Sequence, residues 1–287
     1  MEIKYNLKKF STSKLTKFVV ALVNLIMKSN KIEPKFITKH NPRVGLIALA
    51  TDFMIEKDFI NVIKDKEIDF FVNRIECFNP LTKENLIKMS EKVTEVTNNI
   101  LPNEEIDCVV YGCTSGTIAA GYESIEKKVK AAKPKAKLTT PSSAAIKALK
   151  KLNVKKLAIF TPYSKKLNDQ IINHFSEEKF DIVSNSYLDI AADYDIGKVD
   201  QDFLFEILSN MNIADADALF ISCTALPVLN IIEKLEKKIN KPVLSSNQTL
   251  IWNTLEEIGK NTDIKGFGKL FLKNWLCILQ KKNTNKD

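Results

Sequence analysis

The stretch "DCVVYGCTSGT" at residues 107–117 ends an apolar run with a glycine, a thiol, hydroxyls and a second glycine. It returns 110 positions later as "DALFISCTALP", residues 217–227. A second pair echoes it: "RVGLIALATD" at 43–52 resembles "KKLAIFTPYS" at 155–164, 112 positions on. Two offsets that agree this closely mark an internal duplication. Each half opens with a basic-apolar strand and later delivers a strand that ends in Cys-Thr. Two similar lobes facing each other across a cleft are the expected consequence, with Cys113 and Cys223 approaching from opposite sides.

Working outward, short apolar runs alternate with longer stretches of helical period, which is the pattern of mostly parallel α/β sheets flanked by helices. Strands are predicted at Val44 to Leu49, Phe70 to Ile75, Asp107 to Tyr111, Leu157 to Phe160, Ile182 to Tyr187, Ala218 to Ser222 and Pro242 to Leu244. Apolar residues at three- and four-residue spacing predict helices in Lys83 to Ile100, Ala144 to Leu152 and Val228 to Ile239. The expected division is a basic extension over 1–40, a first α/β lobe over 41–140 to which 248–287 returns, and a second lobe over 141–247.

The net charge of +8 is unevenly placed, because residues 1–40 hold nine lysines against Glu2 and Glu33. The rest of the chain is close to neutral, so no broad nucleic-acid footprint is expected on the globular part. The apolar run Phe18 to Met27 is too short to span a bilayer. It lacks a small-residue cleavage pattern and is interrupted by Asn24, so it reads as an amphipathic extension, the one part of the chain with a prospect of membrane contact. Five cysteines at 77, 108, 113, 223 and 277 form no disulfide framework, which points to a reducing cytoplasm. With His40 and His174 the only histidines, neither a zinc cluster nor a Cys-His dyad is easily built.

In a parallel sheet, ligands gather beyond the carboxyl ends of the strands. Both Cys-Thr turns lie there. Free N–H groups at a following helix would attract anions and stabilise a thiolate, with Pro227 suited to a first helical turn. A strand-end cysteine is more commonly a packing residue, and Cys77, Cys108 and Cys277 fit that reading. Cys113 and Cys223 do not, since they recur at equivalent places of a duplicated chain.

Five stretches in register, "GCTSGT", "LTTPSSAAIKAL", "FTPYSKKLN", "SCTALP" and "PVLSSNQTLIWNTL", resemble the Asp/Glu racemase superfamily. Within it they are similar to the branch of maleate cis-trans isomerases, arylmalonate decarboxylases and racemase-like proteins of ectoine utilisation. The likeness runs from about residue 43 to 260. It implies cofactor-independent chemistry beside a carboxylate, with Cys113 and Cys223 as base and acid on opposite faces, or with Cys113 adding to a double bond while Cys223 manages the proton. Decarboxylases of the branch lack the first cysteine, so Cys113 argues against that activity.

The resemblance further implies that Thr114 and Ser115 offer donors to a substrate carboxylate, that Tyr163 donates to the same group, that Thr224 binds a second carboxylate, and that Asn247 lies on a polar loop returned to the cleft. Asp52 departs from the pattern, for maleate isomerases carry asparagine there. A carboxylate would repel a dicarboxylate unless protonated, and would suit a substrate ammonium or steer a cysteine's proton. Asp193 and Asp195 read as solvated loop acids, with a place at the border of the cleft as the alternative. The expectation is therefore a two-cysteine isomerase or racemase of a small carboxylate or amino-acid-like substrate, similar to the ectoine-utilisation proteins, needing no cofactor or metal and forming a homo-oligomer. The alternatives are a maleate cis-trans isomerase with a covalent adduct and, from another class, a small-molecule-binding or dithiol redox-sensing protein.

Overall fold

The structure, a computed structural model, describes residues 16–17, 19–20 and 31–272. Residues 40–272 hold two parallel four-stranded sheets. The first is built from β1 (Arg43–Leu49), β2 (Asp69–Ile75), β3 (Cys108–Gly112) and β4 (Lys137–Thr139), in the order β2-β1-β3-β4. The second uses β5 (Lys156–Thr161), β6 (Asp181–Tyr187), β7 (Ala218–Ile221) and β8 (Val243–Ser245), in the order β6-β5-β7-β8. The same order in both halves is what the duplicated sequence requires. Val44 faces Cys108 in one sheet and Leu157 faces Ala218 in the other, so the strands ending in Cys-Thr are central in each.

Central strands are covered on both faces, and β3 and β7 are buried throughout, as their continuous apolar runs demand. Edge strand β6 is partly exposed and correspondingly polar. Helix α1 (Ile55–Ile63) follows β1, and the predicted helix over Lys83 to Ile100 is broken into α2 (Lys83–Ser90) and α3 (Val93–Asn98). Thr82 caps α2 by accepting from the Asn85 N–H at 3.2 Å. The helices α4 (Thr114–Ala120) and α5 (Tyr122–Ala132) complete the first half before β4.

In the second half, α6 (Pro141–Lys151) begins with a capping box between Thr140 and Ser143 and a proline in its first turn. There follow α7 (Lys165–Glu177), α8 (Asp193–Ile196), α9 (Gln201–Ser209), α10 (Ile232–Ile239) and α11 (Ser246–Glu257). Helix α11 leaves β8 buried along nearly all its length and packs on α6, β3, β4 and β8.

A strap across the lobes passes through residues 189–197. The Leu81 N–H donates to the Ala191 carbonyl at 3.0 Å, the Asp193 N–H to Asn79 Oδ1 at 3.2 Å, and the Thr51 hydroxyl to Asp193 Oδ2 at 2.6 Å. The Phe53 and Tyr194 rings meet edge to face at 5.6 Å, and a Cβ on Gly197 would lie 2.6 Å from the Phe53 ring. No described helix is long and apolar enough to cross a membrane. The reading of Phe18 to Met27 as an amphipathic extension falls almost wholly outside the described residues, as does Cys277.

Candidate active site

Cys113 stands at the end of β3 as the N-cap of α4, where the sequence places it. Its sulfur accepts the Gly116 N–H at 3.1 Å and lies 3.8 Å from the Ser115 hydroxyl. Its carbonyl accepts from the Thr117 hydroxyl at 2.7 Å. The approach of backbone to sulfur depends on Gly116: a Cβ there would sit 2.7 Å from the thiol and 2.9 Å from the Tyr111 hydroxyl.

Cys223 occupies the equivalent end of β7, but in a different local frame. Its φ is +128°, residues 224–226 form a bend, and Pro227 precedes a short 3₁₀ turn (Leu229–Ile231) before α10 starts. The expected helix N-terminus at Cys223 is thus absent. Its N–H is instead taken by the Ser246 hydroxyl at 3.0 Å, and Ser246 meets the Thr114 hydroxyl at 2.9 Å. The Thr224 hydroxyl donates to the Gly112 carbonyl at 3.3 Å. Two Cys-Thr turns from two lobes are therefore stitched to each other.

Tyr163, which follows β5, closes the link between the thiols. Its hydroxyl interacts with both the Cys223 thiol and Ser115, and Ser115 in turn touches Cys113. Burial pushes both thiols well above the ordinary cysteine range, against the lowering expected of a strand-end turn. The Gly116 N–H opposes this at Cys113 and Tyr163 opposes it at Cys223, but neither matches the desolvation of a thiolate at 3% exposure. Both cysteines rest as thiols.

Asp52 is completely buried at the end of β1, with Oδ1 accepting the N–H groups of Met54 at 2.8 Å and Ile55 at 3.0 Å at the start of α1. Its Oδ2 has no partner of hydrogen-bond geometry; the neighbouring Thr224 hydroxyl is turned towards Gly112. Burial raises its pKa, opposed only in part by the Ile55 and Met54 N–H groups, Thr224 and, least, Arg74. Asn247 lies not on a loop but inside α11, where its amide donates to Asp58 Oδ2 at 2.7 Å and to the Thr224 carbonyl at 2.8 Å. Thr114 and Thr224 likewise spend their hydroxyls within the protein.

Three residues at the site have no conspicuous sequence signal. Ser246 and Asp58 gain their places only through contacts from distant elements. Asp193 is 2% exposed rather than solvated, and burial, with a contribution from Asp52, raises its pKa to about 6. Asp195 is the surface acid of this pair, bound to Lys198 at 2.7 Å. Cys77 packs, half-buried, against the core as the sequence reading has it, and it also stands beside Thr51, acts electrostatically on Cys113 and feels the charge of Asp193. Cys108 is a core thiol, pushed up to about 12 by burial. Among the described residues no cluster of three or more His, Cys, Asp or Glu is arranged to hold a metal ion.

Two like α/β lobes, each ending its central strand in Cys-Thr at a shared buried site, define a protein of the Asp/Glu racemase-like superfamily. Residues 68–271 match the arylmalonate decarboxylase family, and the chain belongs to it. It is an enzyme of this isomerase and racemase group. The chain is 24% identical over 243 residues to a maleate isomerase of Geobacillus stearothermophilus, a match that covers 79% of this chain and 96% of the relative. It is 27% identical over 136 residues to the arylmalonate decarboxylase of Bordetella bronchiseptica, covering 46% and 57%. The fold superposes on the maleate isomerase Iso of Pseudomonas putida with a TM-score of 0.75 at 23% identity, covering 81% of this chain and 98% of that one. A mutant of the Nocardia farcinica maleate cis-trans isomerase, solved with a covalently bound succinylcysteine intermediate, superposes with a TM-score of 0.74 at 18% identity, over 80% and 98% of the two chains.

Proposed function

We propose that the protein is a cofactor-independent isomerase of a small carboxylate, with Cys113 and Cys223 as its reacting groups. The observation that carries this reading is the linkage of the two thiols, from equivalent strands of different lobes, through Ser115 and Tyr163. A thiol on each side of a substrate carbon can add or remove a proton from either face. It can also act covalently, as the succinylcysteine of the Nocardia relative illustrates.

In the covalent form the S–H of Cys113 adds in net terms across a carbon–carbon double bond conjugated to the carboxylate. Sulfur bonds one carbon, Cys223 gives a proton to the other, and the proton released by Cys113 restores Cys223. Rotation about the resulting single bond and reversal of both transfers yield the geometric isomer. The maleate isomerase relatives support this form. Buried Asp52 supports the second form, proton transfer at a carbon bearing an amino group.

Intact-mass spectrometry on single variants separates them. Under covalent addition, Cys223→Ser incubated with an unsaturated substrate retains an added mass on Cys113, and Cys113→Ser retains none. Under proton transfer neither variant gains mass, and one of them still exchanges a substrate α-hydrogen for deuterium. Full turnover in either variant would discard the two-thiol reading.

A further inference from the structure

The two carboxyls whose charge bears on the thiols belong to different lobes and are drawn to one place. Thr51, the chain neighbour of Asp52, donates its hydroxyl to Asp193 Oδ2 at 2.6 Å. Asp52 is fully buried and keeps Oδ2 without a hydrogen-bond partner; Asp193 is 2% exposed. Each carboxyl acts on Cys223, and Asp193 acts on Cys113 and Cys77 as well. The leading charged neighbour of Asp193 is Asp52 and that of Cys223 is Asp193, while Cys113 feels Cys77 first and Asp193 next. Arg74 is the cation that acts on Asp52, but its guanidinium is already held by Glu56 at 2.5 Å, the Asp52 carbonyl at 2.7 Å and the Leu49 carbonyl at 3.1 Å. Asp58 lies one step behind, its carboxyl accepting the Asn247 amide and sensitive to the charge on Asp52.

A site with this balance is ill matched to a ligand that brings only negative charge. Buried like charges repel strongly in a weakly polar interior, whereas one ammonium set against two carboxyls removes the conflict. An unpartnered buried oxygen such as Asp52 Oδ2 is also costly unless a donor fills the place facing it. We propose that Asp52 and Asp193 form a cation subsite beside the two thiols, which takes the ammonium of a small amino-substituted carboxylate. This rests on the reading of Cys113 and Cys223 as the reacting pair. It names the substrate class: the amino group sits at the Asp52–Asp193 pair while the reacting carbon lies at the thiols. An ammonium bound there favours the ionised form of both acids, so binding near neutral pH or below releases protons.

Titration calorimetry on a Cys113→Ser/Cys223→Ser chain tests the subsite without turnover, using aspartate, 2,4-diaminobutyrate and maleate as probes. The expected result is that an amino ligand binds at least ten-fold tighter than maleate and releases protons, read from buffers of different ionisation heat. Asp193→Asn and Asp52→Asn should each weaken the amino ligand ten-fold or more while leaving maleate unchanged or tighter. Asparagine remains a good N-cap at position 52, and the ranking of ligands on the parent chain stands as a test even if a variant misfolds. Maleate binding as tightly as the amino ligands, equal weakening of both classes by the variants, or no binding of either amino ligand at millimolar concentration would overturn the proposal. Failure of the two-thiol reading shows separately, in the adduct and deuterium experiments on the cysteine-bearing enzyme.

Discussion

The hydroxyls of Thr114 and Ser246 meet at 2.9 Å, and the Ser246 oxygen also accepts the backbone N–H of Cys223 at 3.0 Å. One hydroxyl therefore holds the turn after Cys113 against the turn at Cys223, a residue whose φ of +128° costs energy unless its surroundings fix it. Ser246→Ala removes that acceptor and leaves a buried N–H unpaired, for a loss of about 1–3 kcal/mol. Turnover should fall more than ten-fold with a smaller change in KM, because the thiol is misplaced while the remaining substrate contacts persist. Steady-state kinetics beside a denaturant melt check this; a change in stability alone would make Ser246 a packing residue only.

The thiols should be unreactive in the resting protein. Burial raises Cys113 and Cys223 and lifts half-buried Cys77 to about 11. At pKa 11 a thiol carries on the order of three hundred-fold less thiolate at neutral pH than an ordinary cysteine. With iodoacetamide at pH 7.5, labelling among the described cysteines is expected to begin, slowly, at Cys77, the most accessible of them, and to reach Cys113 and Cys223 only after denaturant is added. Peptide mapping over time reads the order. Rapid stoichiometric labelling of Cys113 would show a thiolate that the buried geometry does not account for.

The fold was legible because the chain states it twice. Seven strands follow from apolar runs, and the recurrence of Cys-Thr fixes which ends of which strands meet. Strand β4, Lys137–Thr139, escapes because three residues that begin with a lysine and run into Thr140 and Pro141 carry no pattern. The break between α2 and α3 is hidden by apolar spacing that continues across it. At the site, the two cysteines stand out through the duplicated turns, whereas Tyr163 and Asp52 are singled out only through the family resemblance. Asp193 is less legible: "AADYDIG" favours a solvated loop over the cleft border until the strap folds over Thr51 and Phe53. Asp58 and Ser246 share that opacity, because their roles come from Asn247 and Cys223, which are remote in the chain from Asp58 and Ser246 respectively. The helix predicted over Val228 to Ile239 forms as an α-helix only from Ile232, since the bend at 224–226 and the 3₁₀ turn take up the residues before it, and so its N-terminus does not reach Cys223.

Asp58 provides a pH signature of the fold. Burial raises its carboxyl from the ordinary 3.8 to about 7, opposed by the Asn247 amide and reinforced by the charge of Asp52. The native state thus holds a proton that the unfolded chain has already released. Its contribution to stability is complete below about 3.8 and is lost as the pH rises through 7. Asp58→Asn removes the ionisation, so its melting temperature relative to the parent should climb between pH 5 and pH 8. Asp193 and Glu236, raised to about 6 and about 7, give both proteins the same underlying slope. A variant that instead loses ground over this interval would show that Asp58 is stabilised as a carboxylate.

Gly116→Ala sets a helix-propensity gain against the architecture of the site. Gly116 lies within α4 at an ordinary helical φ, so alanine alone favours the helix by about 1 kcal/mol. The new methyl would stand 2.7 Å from Cys113 Sγ, 2.9 Å from the Tyr111 hydroxyl and 3.0 Å from the Met89 methyl. Met89 can give way, being unbranched and flexible. The Tyr111 ring cannot, because it is fully buried and belongs to a central strand. The thiol is left as the group that moves, which breaks its 3.1 Å contact with the Gly116 N–H. Overpacking of this kind typically costs about 1–3 kcal/mol, so a net loss of stability is expected despite the better helix former. Turnover should drop by two orders of magnitude or more, since the displaced sulfur no longer faces Cys223 through Ser115 and Tyr163. A variant as active as the parent would show that Cys113 does not react from the position described.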